Sequence, residues 1–275
     1  MGNRFLTSSL TVGVVVEPRY LGQRQPAGLC AELRRRGHEA VVIDPDAVCR
    51  VGSGDWLSGI DVIVPRGRSL TLLGLVELAE RRGLPVVNGR SAIASVHNKL
   101  DMAVALVAAG IPTPPTFAAS LGRLAQAVPA GAYPLVLKPT FGDNGRGLMI
   151  APDAEQLAGL HWPEPFALAQ QLVPNDGFDL KLYGIGDDVW AIRNPSPLTS
   201  PTAGERRPAP IELTPELIAL ARRCGELFGL ELYGVDCVET SDGPLVIEVN
   251  DFPNYTAIDE ADERLVAHVE RCAAR

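Results

Sequence analysis

Residues 232–255 read LYGVDCVETSDGPLVIEVNDFPNY, in which two apolar segments flank the tripeptide SDG at residues 241–243. The tripeptide predicts a β-hairpin with a three-residue loop, in which Gly243 adopts the left-handed backbone conformation. Side chains alternate between the two faces of such a hairpin. The loop length therefore decides which polar side chains share a face.

The predicted register gathers three oxygen-bearing side chains at the open end of the hairpin. Asp236 lies opposite Glu248, and Asn250 follows on the same face. Two carboxylates and an amide are hard oxygen ligands of the kind that Mg²⁺ or Mn²⁺ binds. A two-residue loop would divide these groups between the two faces, so the predicted metal site depends on the three-residue loop. For the acids considered alone, the alternative is a strand end whose carboxylates point into solvent. The other face carries the apolar side chains of Val235, Cys237, Leu245, Ile247 and Val249.

Size, charge and cysteine content restrict the class of protein. The chain has 275 residues, of which 46% are hydrophobic, enough for one large or two to three small domains. It carries 25 basic and 33 acidic residues without a long run of either sign, which disfavours a nucleic-acid-binding surface. The five cysteines are widely spaced, as in a protein whose thiols stay reduced. No apolar run near the start is long enough for a signal core or a membrane span, so we expect a cytoplasmic protein without membrane partners.

The first 90 residues alternate between short apolar strands and helices. This alternation predicts a parallel, doubly wound sheet, with a domain boundary near residue 90. Such sheets bind ligands beyond the carboxyl ends of their strands, which is where Arg66, Arg68 and Asn88 lie. These three side chains are therefore predicted to contact a substrate, with solvated loops as the alternative. The predicted strands are residues 12–16, 40–43, 61–64 and 85–88.

A helix and a proline-rich segment follow the first module. Ser91 is predicted to cap a helix that carries Lys99 and ends at Gly110. Residues 111–115 read IPTPP and are expected to form a stiff, extended hinge between domains.

A glycine-rich segment comes directly after a predicted strand that ends in Lys138. It reads TFGDNGRG from residue 140, and its glycines let backbone N–H groups approach an anion closely. The spacing matches neither the dinucleotide-binding fingerprint nor the P-loop, and a plain hairpin turn is the alternative. Because a lysine precedes the segment and a strand follows it, we predict a flap over phosphate groups. The flap residues are Gly142, Asp143, Asn144, Gly145, Arg146 and Gly147.

Later strands supply further candidate contacts. A strand at residues 166–173 ends in QQLV, whose backbone groups are suited to the edge of an adenine ring. The next predicted hairpin, which turns at residues 186–188, carries Asp179, Lys181 and Arg193.

The order of these segments resembles the ATP-grasp superfamily and, within it, the RimK-like ligases. The resemblance covers the whole chain and rests on the ordered set rather than on any single motif. It implies a Rossmann-like domain at residues 1–90, a central ATP-grasp subdomain at 91–166 and a C-terminal ATP-grasp subdomain at 167–275. ATP would be held between the two α+β subdomains. The residues that carry the resemblance are Lys99, VLKP at 136–139, the glycine-rich segment, QQLV at 170–173, Arg193, GVD at 234–236 and EVN at 248–250.

The resemblance also implies residue roles. Lys99 and Lys138 would contact phosphate groups, and Asp179 would contact the ribose. Arg193 would face the transferred phosphoryl group and stabilise the later oxyanion, with Lys181 as a further catalytic residue. The adenine would lie against Gln170, Gln171, Leu172 and Val173, and the Mg²⁺ or Mn²⁺ ligands would be Asp236, Glu248 and Asn250, of which Asn250 also counts as catalytic.

The implied activity is an ATP-dependent carboxylate–amine or carboxylate–thiol ligase. Such an enzyme forms an acyl phosphate and releases ADP and phosphate, using electrostatic stabilisation rather than a nucleophilic side chain. Its partners would be a small carboxylate and an amine or thiol acceptor, and a homo-oligomer is compatible with the sequence.

Two departures and two alternatives accompany this resemblance. Gln171 replaces an acid that these ligases often carry near the adenine, and DFPN at 251–254 replaces their usual small residue, proline and glycine. We expect Asp251 to contact a cationic substrate. Segments 180–186, 193–198 and 249–255 also resemble inositol-phosphate kinases, which phosphorylate a hydroxyl group. The third reading is a nucleotide-binding sensor without turnover.

Overall fold

The structure is a computed structural model, which describes residues 9–47, 54–142, 146–196, 198 and 207–275. Its strands form three sheets, one parallel and two antiparallel. The sheets follow one another along the chain, as the α/β and α+β fold class requires. The predicted domain limits at residues 90 and 166 remain a prediction.

The first sheet is parallel and has the strand order β2-β1-β3. Strands β1 and β3 are buried along almost their whole length because both faces are covered, whereas the edge strand β2 leaves Glu39 and Val42 exposed. Val14 faces a core that includes the last helix, Ala261–Ala273, whereas Val15 and Ile63 face the core beneath the second helix, Leu70–Arg81. The predicted strand at residues 85–88 is only a single bridge between Ile63 and Val86. The elements are β1 (Thr11–Val16), α1 (Arg24–Arg35), β2 (Glu39–Ile43), β3 (Val62–Arg66) and α2 (Leu70–Arg81).

Two helices replace the single helix that we predicted after the first module. They are α3 (Arg90–His97) and α4 (Lys99–Ala108), and Asn98 separates them. The Asn98 side chain accepts hydrogen bonds from the backbone N–H groups of Leu100 and Asp101, which begins a new helix in the middle of the predicted one. The α3 cap residue is Gly89 and not Ser91. As a result, Lys99 lies at the first turn of α4.

The second sheet is antiparallel, with the order β4-β7-β5-β6. On one face, Leu135 and Leu137 pack against two short helices through Leu124 and Leu157 of those helices. The strand alternation turns Val136 and Lys138 toward the opposite side. The elements are β4 (Thr116–Ala119), α5 (Leu121–Ala127), β5 (Leu135–Lys138), β6 (Met149–Ala151), α6 (Ala154–Gly159) and β7 (Ala167–Gln171).

The third sheet has the order β10-β9-β8-β11-β12 and is antiparallel. Its Leu182 and Val235 side chains pack with residues of α7 in one core, whereas α8 packs with the first sheet in another. The elements are β8 (Phe178–Ile185), β9 (Asp188–Pro195), β10 (Ala209–Pro210), α7 (Pro215–Phe228), β11 (Leu232–Thr240), β12 (Gly243–Asp251) and α8 (Ala261–Ala273).

The hairpin of β11 and β12 turns over two residues instead of three. Thr240 pairs with Gly243, so Ser241 and Asp242 alone form the turn. Gly243 has the expected positive φ, at 110°. The prediction of a three-residue loop was therefore wrong. With a two-residue turn and regular pairing along both strands, the predicted metal ligands would have been divided between the two faces of the hairpin.

A β-bulge restores the predicted pairing. Cys237 pairs with Val246, but Asp236 pairs with Glu248, which leaves Ile247 as the extra residue on β12. A bulge of this kind sets two residues of one strand against one of the other. Asp236 and Glu248 therefore face each other, as the longer loop had predicted, but for a different reason.

The bulge also changes which side chains form the apolar face. Val246 is fully buried in the core beneath the hairpin, whereas Leu245 and Ile247 are half-buried and lie outside it. Our assignment of Leu245 and Ile247 to the buried face was wrong, because the turn is one residue shorter than predicted.

Two further expectations concern thiols and membranes. The described cysteines are buried and free, while Cys49 lies outside the described residues. Within the described ranges, no helix combines the length and apolarity needed to cross a lipid bilayer. The buried free thiols are Cys30, Cys224, Cys237 and Cys272.

Candidate active site

A cavity of about 590 Å³ is lined by side chains from all three sheets. Arg66 and Arg68 come from the end of β3, Lys138 from β5, and Asp236 and Glu248 from the hairpin. The chain has only three lysines, and all of them line this cavity: Lys99, Lys138 and Lys181.

Each carboxylate of the predicted metal site is paired with a lysine. Lys181 Nζ lies 2.8 Å from Asp236 Oδ1, and Lys99 Nζ is bonded to Glu248 Oε1. Asn250 Nδ2 donates to Asp236 Oδ2 at 3.2 Å, so the amide oxygen of Asn250 lies in the same group. The structure thus brings the three predicted oxygen ligands together, within a cluster of compensating charge.

Strand order explains the Lys181 contact. Strand β8 lies beside β11 in the sheet, and Asp236 pairs directly with Lys181 on one side and with Glu248 on the other. Directly opposed side chains on neighbouring strands lie close enough for an ion pair. Lys181 approaches from the sheet, whereas Lys99 approaches from the start of α4.

Lys138 is buried, as is Lys99. Only 7% of Lys138 is exposed, and its Nζ donates to Gln170 Oε1 at 2.6 Å. Burial, with a smaller effect of Lys99, lowers the pKa of Lys138 to about 8, although Glu248 and Asp236 oppose this shift. Lys138 therefore changes charge close to neutral pH in the ligand-free protein.

Lys181 behaves in the opposite way. Burial lowers its pKa, but the nearby Asp236 carboxylate, together with Tyr183 and Asp179, raises the pKa overall. Lys181 is thus held as a permanent cation on the cavity wall.

The segment predicted to contact adenine forms one end of the cavity. The N–H of Gln171 donates to Pro115 O at 2.9 Å, and the N–H of Leu172 donates to Pro134 O at 2.8 Å. These two N–H groups are thus already bonded to main chain, whereas Val173 follows the strand and lines the cavity. Asp179 lines the same end, and burial raises the pKa of its carboxyl group.

The described part of the glycine-rich segment lies at the cavity mouth. Gly142 and Arg146 line the cavity, and Arg68 Nη1 donates to Gly142 O at 3.0 Å. Gly147 has a φ of 75°, and a Cβ atom there would come within 2.8 Å of the Pro139 side chain, so glycine is required. The predicted flap residues Asp143, Asn144 and Gly145 lie outside the described residues.

A family model described as a RimK-like ATP-grasp domain matches residues 96–267. The chain belongs to the RimK-like ATP-grasp family. The predicted fold class and family are thereby confirmed.

Two relatives agree with this family, and two solved structures share its fold. A probable alpha-L-glutamate ligase 2 of Shewanella frigidimarina is 30% identical over 261 residues, covering 86% of this chain and 87% of the relative. A probable alpha-L-glutamate ligase of Ectopseudomonas mendocina is 31% identical over 262 residues, covering 85% of each. The crystal structure of a RimK domain protein ATP-grasp from Sphaerobacter thermophilus has a TM-score of 0.76, with 23% identity and coverage of 95% of this chain and 98% of the other. A D-alanine–D-alanine ligase from Bacillus anthracis has a TM-score of 0.69, with 16% identity and coverage of 97% and 98%.

In this RimK-like chain, Arg193 does not lie where we predicted it. It is not among the described residues that line the cavity, because it pairs with Leu180 on the sheet face that packs on α7. Its guanidinium lies 4.2 Å from the centre of the Phe178 ring and is paired with Asp176. Asn194, one residue later, points into the cavity instead. Strict alternation counted from Asp179 would have shown this.

Asn88 also lies away from the cavity lining. It is buried, and its Nδ2 donates to Leu232 O at 2.7 Å. Its Oδ1 accepts from the N–H groups of Glu231 and Leu232 at 2.8 and 2.9 Å. Both ends of the amide are therefore used to join the first module to β11, which contradicts the predicted substrate contact.

Asp251 lines the cavity, but its carboxylate already has a cationic neighbourhood. Its Oδ1 lies 2.8 Å from His97 Nε2, and both residues are buried. Burial raises the pKa of Asp251, but the His97 hydrogen bond and the charges of His97, Arg66 and Arg68 lower it overall. A direct contact with a cationic substrate is therefore not supported by this geometry. His97 was not among the site residues that the sequence predicted.

Arg66 and Arg68 were both predicted to contact a substrate, and both line the cavity. Arg66 is held in place by its neighbours. Its Nη2 donates to Gln23 Oε1 at 3.0 Å, and its guanidinium lies 4.5 Å from the Tyr20 ring centre. The contacts hold the side chain at the end of the cavity formed by the first module, next to Arg68.

Proposed function

We propose that this RimK-like chain is an ATP-dependent ligase that joins a carboxylate to an amine or thiol through an acyl phosphate, releasing ADP and phosphate. The observation that carries the proposal is the convergence of all three lysines with Asp236, Glu248 and Asn250 in one cavity. Family membership supplies the activity class, and the arrangement of charges supplies the site.

The donor set of the hairpin fits a hard divalent cation. Asp236, Glu248 and Asn250 offer side-chain oxygens from directly paired strands, and this donor type suits Mg²⁺ or Mn²⁺. When bound, the ion would neutralise negative charge on phosphate oxygens. The ion pairs with Lys99 and Lys181 keep the carboxylates compensated until then.

The lysines would hold and neutralise the phosphate groups of ATP. Phosphoryl transfer requires alignment and charge neutralisation more than covalent help from the protein. A substrate carboxylate oxygen forms a bond to the γ-phosphorus while the bond to the β-phosphate oxygen breaks, which releases ADP. The amine or thiol then attacks the acyl carbon, loses its proton, and phosphate leaves. Lys181, which lines the cavity, would then take the role toward the transferred phosphoryl group that we had predicted for Arg193.

The far end of the nucleotide site would accept the nucleoside. The backbone of residues 170–173 would lie along the adenine, with Val173 supplying the group not already bonded to main chain, and Asp179 would contact the ribose. Gly142 and Arg146 would cover the phosphates as part of the glycine-rich flap.

The end of the cavity formed by the first module favours an anionic substrate. Arg66 and Arg68 line it, and the nearby Asp251 carboxylate is paired with His97. A substrate with a carboxylate beyond the reacting one matches this charge distribution. Two relatives are named probable alpha-L-glutamate ligases, after such a compound, so we propose an amino-dicarboxylate such as glutamate as the first substrate to test.

The test separates three activities in one assay. The full chain is incubated with Mg²⁺, ATP and pools of amino acids or inositol phosphates, with hydroxylamine present to trap an acyl phosphate. ADP with phosphate and a hydroxamate indicates the ligase, whereas ADP with a phosphorylated acceptor indicates the kinase. Binding of ATP without ADP release in any pool indicates a sensor, and either of these last two results refutes the proposal.

A further inference from the structure

A second group of ligand atoms lies outside the cavity, where α8 meets the start of β11. His268 and Cys272 are one helical turn apart on α8, and Glu231 immediately precedes β11. Both α8 residues are 2% exposed. Within the described part of the chain, these three form the group of His, Cys, Asp or Glu side chains that lies close enough to share one metal ion.

The distances between the three ligand atoms resemble one face of a tetrahedron. His268 Nε2 lies 3.0 Å from Glu231 Oε2 and 3.5 Å from Cys272 Sγ, and Cys272 Sγ lies 3.6 Å from Glu231 Oε2. With Zn–S bonds of ~2.3 Å and Zn–N and Zn–O bonds of ~2.0 Å, tetrahedral angles separate sulfur from nitrogen or oxygen by roughly 3.5 Å, and nitrogen from oxygen by roughly 3.3 Å. The observed triangle therefore needs little adjustment to hold this ion.

The chemistry of the ligands matches as well. A thiolate, an imidazole and a carboxylate are a mixed donor set that zinc accepts and that Mg²⁺ does not favour. A Zn²⁺ ion with one thiolate and one carboxylate forms a neutral unit, which suits a largely buried position. Arg275 pairs with both carboxylate oxygens of Glu231, with Nη1 3.1 Å from Oε1 and Nη2 3.0 Å from Oε2, and so orients the carboxylate.

We propose that Glu231, His268 and Cys272 bind Zn²⁺, with water in the fourth position on the half-exposed Glu231 side. The ion would fasten the last helix to the third sheet, at a site separate from the ATP cavity. The proposal is independent of the proposed ligase activity.

Proton balance makes the binding step explicit. The Cys272 thiol is protonated in the metal-free protein, because burial and the neighbouring Glu231 raise its pKa to about 11. Metal binding breaks the S–H bond, forms the Zn–S bond and releases one proton to solvent. Metal binding requires the His268 imidazole to present Nε2 without a hydrogen, so its N–H lies on Nδ1 in the bound state, and the exposed Arg271, whose Nη2 lies 3.2 Å from Nδ1, turns away.

Co²⁺ serves as the spectroscopic probe for this site. Metal-free protein is titrated with Co²⁺, and we expect a thiolate-to-cobalt charge-transfer band in the near ultraviolet that saturates at one equivalent and disappears when Zn²⁺ is added. Co²⁺ bound only by the oxygen ligands of the cavity gives no such band, so the two sites are distinguished.

Two cysteine variants provide the matched comparison. Cys272→Ala should abolish the band, whereas Cys30→Ala, which removes another buried helical thiol, should retain it. Absence of the band in the wild-type protein would overturn the proposal, as would its persistence in Cys272→Ala. Either result would leave Glu231 and His268 as an ion pair alone. The wild-type titration is decisive even if a variant does not fold.

Discussion

At the residue scale, Glu248 is both a predicted metal ligand and the ion-pair partner of Lys99. A single substitution can test these roles while the protein stays folded. The Glu248 carboxylate is paired with Lys99 and lies opposite Asp236, so Glu248→Gln removes a charge and a hard ligand with almost no change in shape. We expect the turnover rate to fall by at least about a hundredfold at saturating Mg²⁺.

The matched control is Glu239→Gln on β11, the partner strand of the same hairpin. Glu239 is exposed and does not line the cavity, so the same loss of charge should leave turnover unchanged. Circular dichroism should show both variants folded. Near-normal turnover of Glu248→Gln would contradict the metal-ligand assignment.

Lys138 provides a pH-dependent prediction. Its pKa is about 8 in the free protein, and phosphate groups stabilise the charged form, so nucleotide binding must raise this pKa. At pH 9 the free side chain is mostly neutral and the bound one is charged, so Mg-ADP binding should take up close to one proton. Isothermal titration calorimetry in buffers of different ionisation enthalpy measures this number.

Lysine-selective NMR tests the same residue directly. The chain has three lysines, so the spectrum contains three side-chain signals. One signal should titrate near pH 8 and be absent from Lys138→Met, which should also bind ATP more weakly. If all three signals titrate at the ordinary lysine pKa, the prediction that burial lowers the pKa of Lys138 is wrong.

We expect substitutions of Arg193 and Lys181 to have different effects on kcat, although the two residues lie on neighbouring strands. Arg193 contacts Phe178 and Asp176 on the face away from the cavity, so Arg193→Ala should change kcat by less than about threefold. Lys181→Met removes a cation from the cavity wall and should lower kcat by about a hundredfold or more. Steady-state kinetics on the two variants checks this, and equal losses would restore the original role of Arg193.

At the element scale, the glycine-rich flap depends on a backbone conformation that only glycine adopts without strain. In Gly147→Ala the positive φ and the close approach to Pro139 both become unfavourable, so the flap should no longer close correctly. We expect kcat to fall by about tenfold or more, with a smaller change in the Kd for ATP.

Gly122→Ala is the control for this flap variant. Gly122 lies in α5 with open space around its Cα, so alanine there should stabilise the helix by about 0.5–1 kcal/mol without affecting turnover. Equal kinetics for Gly147→Ala and the wild type would argue against a closing flap.

At the scale of the whole molecule, Asn88 joins the first module to the third sheet. Three hydrogen bonds, two of them fully buried, connect its side chain to the backbone of Glu231 and Leu232. Asn88→Ala removes the acceptor of the Glu231 and Leu232 N–H groups, whereas Leu232 O keeps its bond from the Phe252 N–H, and the substitution should reduce the free energy of unfolding by about 2–4 kcal/mol. Chemical denaturation measures the loss. The activity per folded molecule should stay near the wild-type value, whereas a large loss of kcat with full stability would point back to a substrate contact.

The sequence by itself determined the fold class, the family and most of the charged groups around the cavity. Strands and helices were readable because apolar residues recur with local periods, and Asp236, Glu248 and Asn250 lie within one hairpin. Lys138 and the glycine-rich segment were likewise recognisable from neighbouring residues. Interactions over a short sequence separation leave a pattern that a reader of the sequence can use.

Only the tertiary structure decided which of the candidate side chains reach the cavity. The two-residue turn shifts the strand pairing by one residue, and the bulge at Ile247 shifts it back. The alternation of apolar and polar residues does not reveal either shift. The Asn88 side chain is hydrogen-bonded to backbone groups about 140 residues away, and His97 of α3 contacts Asp251 of β12. The Glu231, His268 and Cys272 group likewise forms only when α8 packs beside β11. Such contacts depend on register and on packing between distant segments, and neither is encoded in a local periodicity.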